Sequence, residues 1–143
     1  MPTPKQIIAA CGNDCAMCPR YTAPPFEKTE AELRRTAELW QRIGYRDRVV
    51  SVQEISCGGC GPNNWCRYNV IQCAAARKVA TCGDCAEYPC DLIRACFEAT
   101  QAFEPHCRKA CADAEYEALR RAFYEKRENL DRIQRQRAED GRE

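Results

Sequence analysis

The sequence predicts a mainly α fold: a small cysteine-rich, metal-stabilised helical domain with a long C-terminal helix. Three observations carry that expectation. Thirteen of the 143 residues are cysteine. Leu, Ile, Val and Phe together number only 21, about 15% of the chain, below the roughly 20% under which apolar burial rarely sustains a fold. The apolar residues that are present recur at helical spacing, and no alternating pattern favours strands. With 22 basic and 21 acidic residues, the chain lacks the large net charge of a disordered one. Something other than apolar packing must offset the conformational entropy of folding. Thiolate–metal bonds are the natural candidate.

The elements follow in chain order. Residues up to about 26 carry Cys11, Cys15 and Cys18 and then break at Pro19, Pro24 and Pro25. Thr29 and Glu32 stand at capping-box spacing, and Leu33, Thr36, Trp40 and Ile43 fall on one helical face that Gly44 ends. Residues 45–56 read two ways: Val49-Val50-Ser51-Val52 as strand, or Ser51 with Glu54 as one helical turn. The stretch from Cys57 to Asn64 is a glycine-rich loop. A helix is expected from about Trp65 to Ala80, with Val70, Ile71, Ala74 and Ala75 available to pack. A second loop carries Cys82-Gly83-Asp84-Cys85, and Pro89 suits the first turn of the next helix, which holds Leu92, Ile93, Cys96 and Phe97.

From about Ala112 the sequence predicts one long charged helix. Tyr116, Leu119, Phe123, Leu130 and Ile133 form its stripe, and Glu128–Arg132 and Asp131–Arg135 pairs support it. Beyond Ile133 nothing apolar remains, so the tail should fray. No fixed-period repeat stands out. The organisation expected is a cysteine-rich metal-binding domain over residues 1–103 and a helical extension over 104–143.

Two pairs dominate the chemistry. Cys57-x-x-Cys60 and Cys82-x-x-Cys85 have the spacing that lets two sulfurs turn toward one ion, and glycine in both eases that turn. Four such thiolates are a familiar zinc set. Cys11-x-x-x-Cys15-x-x-Cys18 has the spacing of the iron ligands in radical S-adenosylmethionine enzymes, but nothing here offers the repeated strands of their barrel. A [4Fe–4S] cluster on this triplet without that chemistry stays open beside zinc. Cys66 and Cys73 share a helical face, and Cys90 opens a helix whose dipole favours a thiolate. The expected metal ligands are therefore Cys11, Cys15, Cys18, Cys57, Cys60, Cys66, Cys73, Cys82, Cys85 and Cys90. Cys96, Cys107, Cys111 and His106 could form a further site, or simply pack. A structural zinc site supplies roughly 10–16 kcal/mol of apparent binding free energy, much of it coupled to folding.

Cys11-Gly12-x-Asp14-Cys15-x-x-Cys18, Cys57-Gly58-Gly59-Cys60 and Cys82-x-x-Cys85-x-x-Tyr88-Pro89-Cys90 together resemble domain-of-unknown-function family 3795. Its members are small cysteine-rich bacterial and archaeal proteins. The resemblance covers roughly residues 8–97 and includes the helix ending near Trp40 and Gly44 and the stretch Trp65-Cys66-Arg67-Tyr68-Asn69. It implies metal binding, zinc first, and no settled activity. Many relatives carry a further cysteine shortly before the position of Cys73, where this chain reads Tyr68-Asn69.

The function expected is that of a non-enzymatic zinc protein acting as a binding or regulatory module, with iron–sulfur redox chemistry as the alternative. A protein partner could use the C-terminal helix, although such stripes are more often buried at home. Catalysis by zinc needs an open position and a base; Asp14 and Asp84 suit turn caps better, and the chain has one histidine. Basic residues interleaved with acids argue against nucleic acid as partner. No run of about 18 apolar residues and no signal-like start are present, so neither a membrane span nor secretion is expected, and a cytoplasmic location is.

Overall fold

The computed structural model of the chain describes residues 6–58 and 69–140. Over these residues it is helical: α1 (Glu30–Ile43), α2 (Val52–Ile55), α3 (Val70–Ala76), α4 (Asp91–Ala110), α5 (Asp113–Phe123) and α6 (Lys126–Asp140). Short 3₁₀ turns occur at Cys15–Met17, ahead of α1, and at Cys82–Asp84, between α3 and α4. Among the described residues, β pairing is confined to isolated bridges of Ile8 with Asp14 and Tyr21 with Cys57.

Local signals set the helix ends. The Thr29 hydroxyl accepts from the Glu32 N–H at 3.1 Å, and Gly44 closes α1 at φ 102°, a conformation that costs glycine no Cβ clash. Ser51 caps α2 through the Glu54 N–H at 3.1 Å, so the helical reading of this stretch holds and the strand reading fails. The α3 helix stops at Ala76 rather than Ala80. Lys78 adopts φ 59°, its N–H donates to the Ala75 carbonyl at 3.1 Å, and the Val79 N–H returns to the Ala74 carbonyl at 3.0 Å. That pattern is a Schellman ending built without glycine. Pro89 lies ahead of α4 rather than in its first turn, because Cys90 is the N-cap. The same helix runs through residues 103 and 104 without a break.

The expected long C-terminal helix is present but bent, running as α5 and then α6. The chain leaves helical geometry at Tyr124 and resumes it at Lys126. The stripe serves two separate cores, which explains the break. Leu119 packs with Trp40, Ile43, Ile55 and Cys107, whereas Leu130 packs with Ile71, Cys82, Ile93 and Cys96. Nor does the helix end at Ile133, since it continues to Asp140 and Gln134 donates to the Tyr88 carbonyl at 3.2 Å. The charged residues of α6 are also spent differently from the i,i+4 pairing expected. Asp131 accepts from the Tyr88 hydroxyl at 2.7 Å, and Arg132 donates to Gln6 at 2.5 Å.

The α6 backbone lies against both N-terminal and central loops. A Cβ on Gly12 would stand 2.8 Å from the Lys126 Cα, and one on Gly83 2.7 Å from the Leu130 carbonyl oxygen. Asn129, buried at 1% exposure, donates its amide to the Gly12 carbonyl at 2.9 Å. The carbonyl of Ala10 accepts from the Cys82 N–H at 2.9 Å, which ties the two cysteine loops to each other.

Candidate metal centre

The two 3₁₀ turns are built alike. In each, the second cysteine N–H donates to the first cysteine carbonyl at 3.1 Å, for Cys18 to Cys15 and for Cys85 to Cys82. Three residues later a tyrosine N–H donates back to the second cysteine: Tyr21 to Cys18 at 3.0 Å and Tyr88 to Cys85 at 3.2 Å. Both tyrosines are buried. Asp14 caps the first turn, accepting from the N–H groups of Ala16 at 3.1 Å and Ile7 at 3.0 Å. At the second, the Thr81 hydroxyl donates to Asp84 at 2.9 Å. Both aspartates are thus turn residues, as their positions beside Cys-x-x-Cys imply.

The second turn lies at the centre of the larger thiol group. Cys73 from α3, Cys82 and Cys85 from the turn, and Cys90 at the start of α4 line one small cavity of about 20 Å³. Its other walls include Ala74, Val79, Tyr88 and Leu92. That volume is close to what a single water-sized occupant needs, and an organic ligand does not fit. Burial pushes the Cys82 thiol up to about 12, and Cys90, Cys11, Cys73 and Cys85 disfavour its thiolate further. Arg77 stands at the mouth of the group. Its guanidinium pairs with Glu87 at 2.6 Å, and Cys73 and Glu87 both favour its charged form.

The first turn gathers a smaller group. Cys57 is held beside it by its N–H to the Arg20 carbonyl at 2.8 Å and by the Thr22 N–H on its own carbonyl at 3.0 Å. Arg20 in turn donates through Nε to the Ile55 carbonyl at 2.7 Å at the end of α2. Burial pushes the Cys18 thiol up to about 12, with Cys15 and Cys57 adding to the effect and Arg20 opposing it.

Ten cysteines were expected to bind metal from the sequence, and the structure sorts the described ones into these two groups. Cys57 stands with Cys15 and Cys18, and Cys82 with Cys85 stands with Cys73, Cys90 and Cys11. The sequence spacing offers Cys57-x-x-Cys60 and Cys82-x-x-Cys85 as one zinc set without fixing which cysteines share an ion, and the described member Cys57 bridges to Tyr21 beside the first turn. The N-terminal triplet is divided, because Cys11 packs in the core of Cys82 while Cys15 packs with Ala9 and Tyr21. Cys60 and Cys66 lie outside the described residues. The further set is not brought together. Cys96 belongs to the core around Cys82 and Cys107 to the core around Trp40, while the His106 Nε2 lies 2.7 Å from the Ile43 carbonyl.

No disulfide links any two of the described cysteines. Among the described residues, no group of three or more His, Cys, Asp and Glu side chains converges closely enough to hold a metal ion as it stands. The donor chemistry nevertheless fits: four thiols surround a cavity of single-ion size, and soft sulfur donors suit zinc or iron–sulfur centres. A larger cleft of about 280 Å³ lies between α4 and the α5–α6 junction, lined by Thr100, Glu104 and Lys126 among others. It contains no cysteine, its Lys126 ammonium donates to Thr100 at 3.2 Å and to the Phe123 carbonyl at 2.9 Å, and Glu104 accepts from Tyr116. The cysteine cavity carries the more specific chemistry.

Tyr21 and Tyr88 were missed as a pair by reading for metal ligands alone. Their signal was present, since Cys-x-x-Cys-x-x-Tyr occurs twice, at Cys15–Tyr21 and at Cys82–Tyr88. Among the described residues no helix is long and apolar enough to cross a membrane. No curated protein and no solved structure matches the chain. A family model described as "Protein of unknown function (DUF3795)" matches residues 7–95, a span that contains both 3₁₀ turns and stops inside α4. The chain with its paired Cys-x-x-Cys-x-x-Tyr turns therefore belongs to the DUF3795 family.

Proposed function

We propose that this protein is a non-enzymatic zinc-binding module whose metals are structural. Cys73, Cys82, Cys85 and Cys90 would hold one ion, and Cys15, Cys18 and Cys57, with Cys60, would hold another. The observation that carries this reading is the single small cavity shared by four cysteines from three separate elements. Bringing α3, the second turn and the start of α4 onto one ion would add a metal link between segments that already share one apolar core. Bound zinc supplies positive charge that turns buried thiols into thiolates. The chain's own contribution is to orient the sulfurs: the 3₁₀ turns set their spacing, and Arg77 lines the same cavity as Cys73. The apolar stripe of α5 and α6 is used at home, with Leu119 and Leu130 both fully buried. A protein partner would therefore meet their charged outer faces.

The test is native mass spectrometry with elemental analysis on protein prepared without oxygen. About two zinc ions per chain are expected. A brown protein absorbing at about 400 nm with bound iron and sulfide would replace zinc by the iron–sulfur reading, and metal-free protein with an unchanged melting temperature would remove both.

A further inference from the structure

One pair of thiols outside both cysteine groups stands close enough to react. Cys107 is in the last turn of α4 and Cys111 is the residue that ends that helix. Their sulfurs lie 4.0 Å apart, against about 2.05 Å in a disulfide. Cys111 already has extended backbone, φ −114° and ψ 148°, so the rotamer limits of a helix interior do not bind it. Access is asymmetric. Cys107 is fully buried beside Leu119, whereas Cys111 is half-buried and forms the solvent side of the pair. Neither has the third ligand a metal would need, since His106 is engaged at the Ile43 carbonyl and Cys96 packs in the other core.

We propose that Cys107 and Cys111 are a modification site, forming a reversible intramolecular disulfide by exchange with a low-molecular-weight disulfide. The order of attack follows from burial. Cys111 loses its proton to solvent and its sulfur attacks one sulfur of the small disulfide; that S–S bond breaks and one small thiol leaves, taking up a proton. Cys107 then attacks the Cys111 sulfur of the mixed disulfide, and the second small thiol leaves with the proton that Cys107 gives up. Two protein thiols are oxidised by two electrons, and one small disulfide is reduced to two thiols.

The surroundings make the bond a switch rather than a staple. So short a loop removes little entropy from the unfolded chain, which leaves the disulfide easy to reduce. Cys107 shares its core with Tyr45 and Tyr124, whose hydroxyls lie 3.2 Å from each other. Turning its sulfur toward Cys111 would change that packing, and Tyr124 is the residue at which α5 ends. Burial, the Cys107 thiol and Glu115 push the Cys111 thiol up to about 12 against the opposing Arg42, so exchange is slow near neutral pH and quickens as pH rises.

The test uses the whole 143-residue chain as purified, incubated with oxidised glutathione at mildly alkaline pH, then acid-quenched, alkylated and digested with trypsin. Cleavage after Arg108 and Lys109 separates residues 95–108 from residues 110–120. The two peptides are expected to stay joined, two hydrogen masses lighter than their sum, and to separate on reduction. Because residues 95–108 also contain Cys96, the fragmentation spectrum of the joined species must place the link at Cys107. It should persist in Cys96→Ser and vanish in Cys107→Ser, and the wild-type spectrum stands even if a variant fails to fold. Recovery of Cys111 as an alkylated thiol, as a persisting glutathione adduct, or joined to Cys96 or to a second chain would overturn the proposal.

Discussion

Gly83→Ala tests the close approach of α6 to the second cysteine turn. The added methyl would stand 2.7 Å from the Leu130 carbonyl oxygen and 3.0 Å from the Ile133 Cβ. The first neighbour is backbone, so no side-chain rotation removes the clash, and α6 or the turn must shift by several tenths of an ångström. Overpacking of this kind costs about 1–3 kcal/mol. For a chain of this size that corresponds to a fall in melting temperature of roughly 4–12 °C. Gly58→Ala is the matched control, because a Cβ there meets nothing within 4 Å. It should stay within about 0.5 kcal/mol of wild type. Both variants and wild type are melted by circular dichroism at one fixed free-zinc concentration, since any ligand of the native state raises its apparent stability. If Gly83→Ala melts with wild type, or if Gly58→Ala falls equally far, the packing of α6 on this turn is not what the structure describes.

Other expectations follow from the same contacts. Asn129→Ala removes the donor to the Gly12 carbonyl and should destabilise by about 1–3 kcal/mol, measured by urea unfolding; an unchanged midpoint refutes the buried amide's role. Tyr88→Phe loses the hydroxyl bond to Asp131 and should cost about 0.5–3 kcal/mol, the range for a hydrogen bond with an ionised or neutral partner; a double-mutant cycle with Asp131→Asn should show coupling, and strict additivity counts against the contact. Burial pushes the Tyr45 phenol up to about 12, above about 10 in an unfolded chain. The fold favours the neutral phenol, so this stability is complete below about pH 10 and is lost as pH rises through 12. Tyr116 is pushed into the same range, so a phenolate absorbance step there whose amplitude Tyr45→Phe leaves undiminished contradicts it. Cys82→Ser should lower bound zinc and helical ellipticity together, and full helicity with unchanged zinc would detach Cys82 from the proposed centre.

Legibility in the sequence tracked how local the cause was. The start and end of α1 were readable because Thr29, Glu32 and Gly44 act within a turn of where they sit. The end of α3 was not, since Lys78 takes the left-handed position usually given to glycine. A stripe of apolar residues announced helix after Ala112, yet periodicity cannot say that Leu119 and Leu130 belong to different cores. The thiol groups show the same limit. Cys-x-x-Cys spacing marked Cys82–Cys85 correctly as a cysteine-bearing loop, while the partners of each turn depend on long-range contacts. Cys57 reaches the first turn through the Arg20 carbonyl, and Cys73 and Cys90 reach the second through the placement of α3 and α4. Asp131, read as a partner for Arg135, is instead taken by Tyr88 across 43 residues of chain.

The position of α6 has a consequence for biosynthesis. Every thiol of the two groups precedes residue 91, whereas the helix that presses on Gly12 and Gly83 begins at Lys126. On a ribosome the sulfur-bearing loops emerge ahead of α6, whose contacts with Gly12 and Gly83 form only after Lys126 has been made. Ion uptake can thus come before closure, and a nascent chain halted ahead of Lys126 would present the same cysteines without the helix that covers their loops.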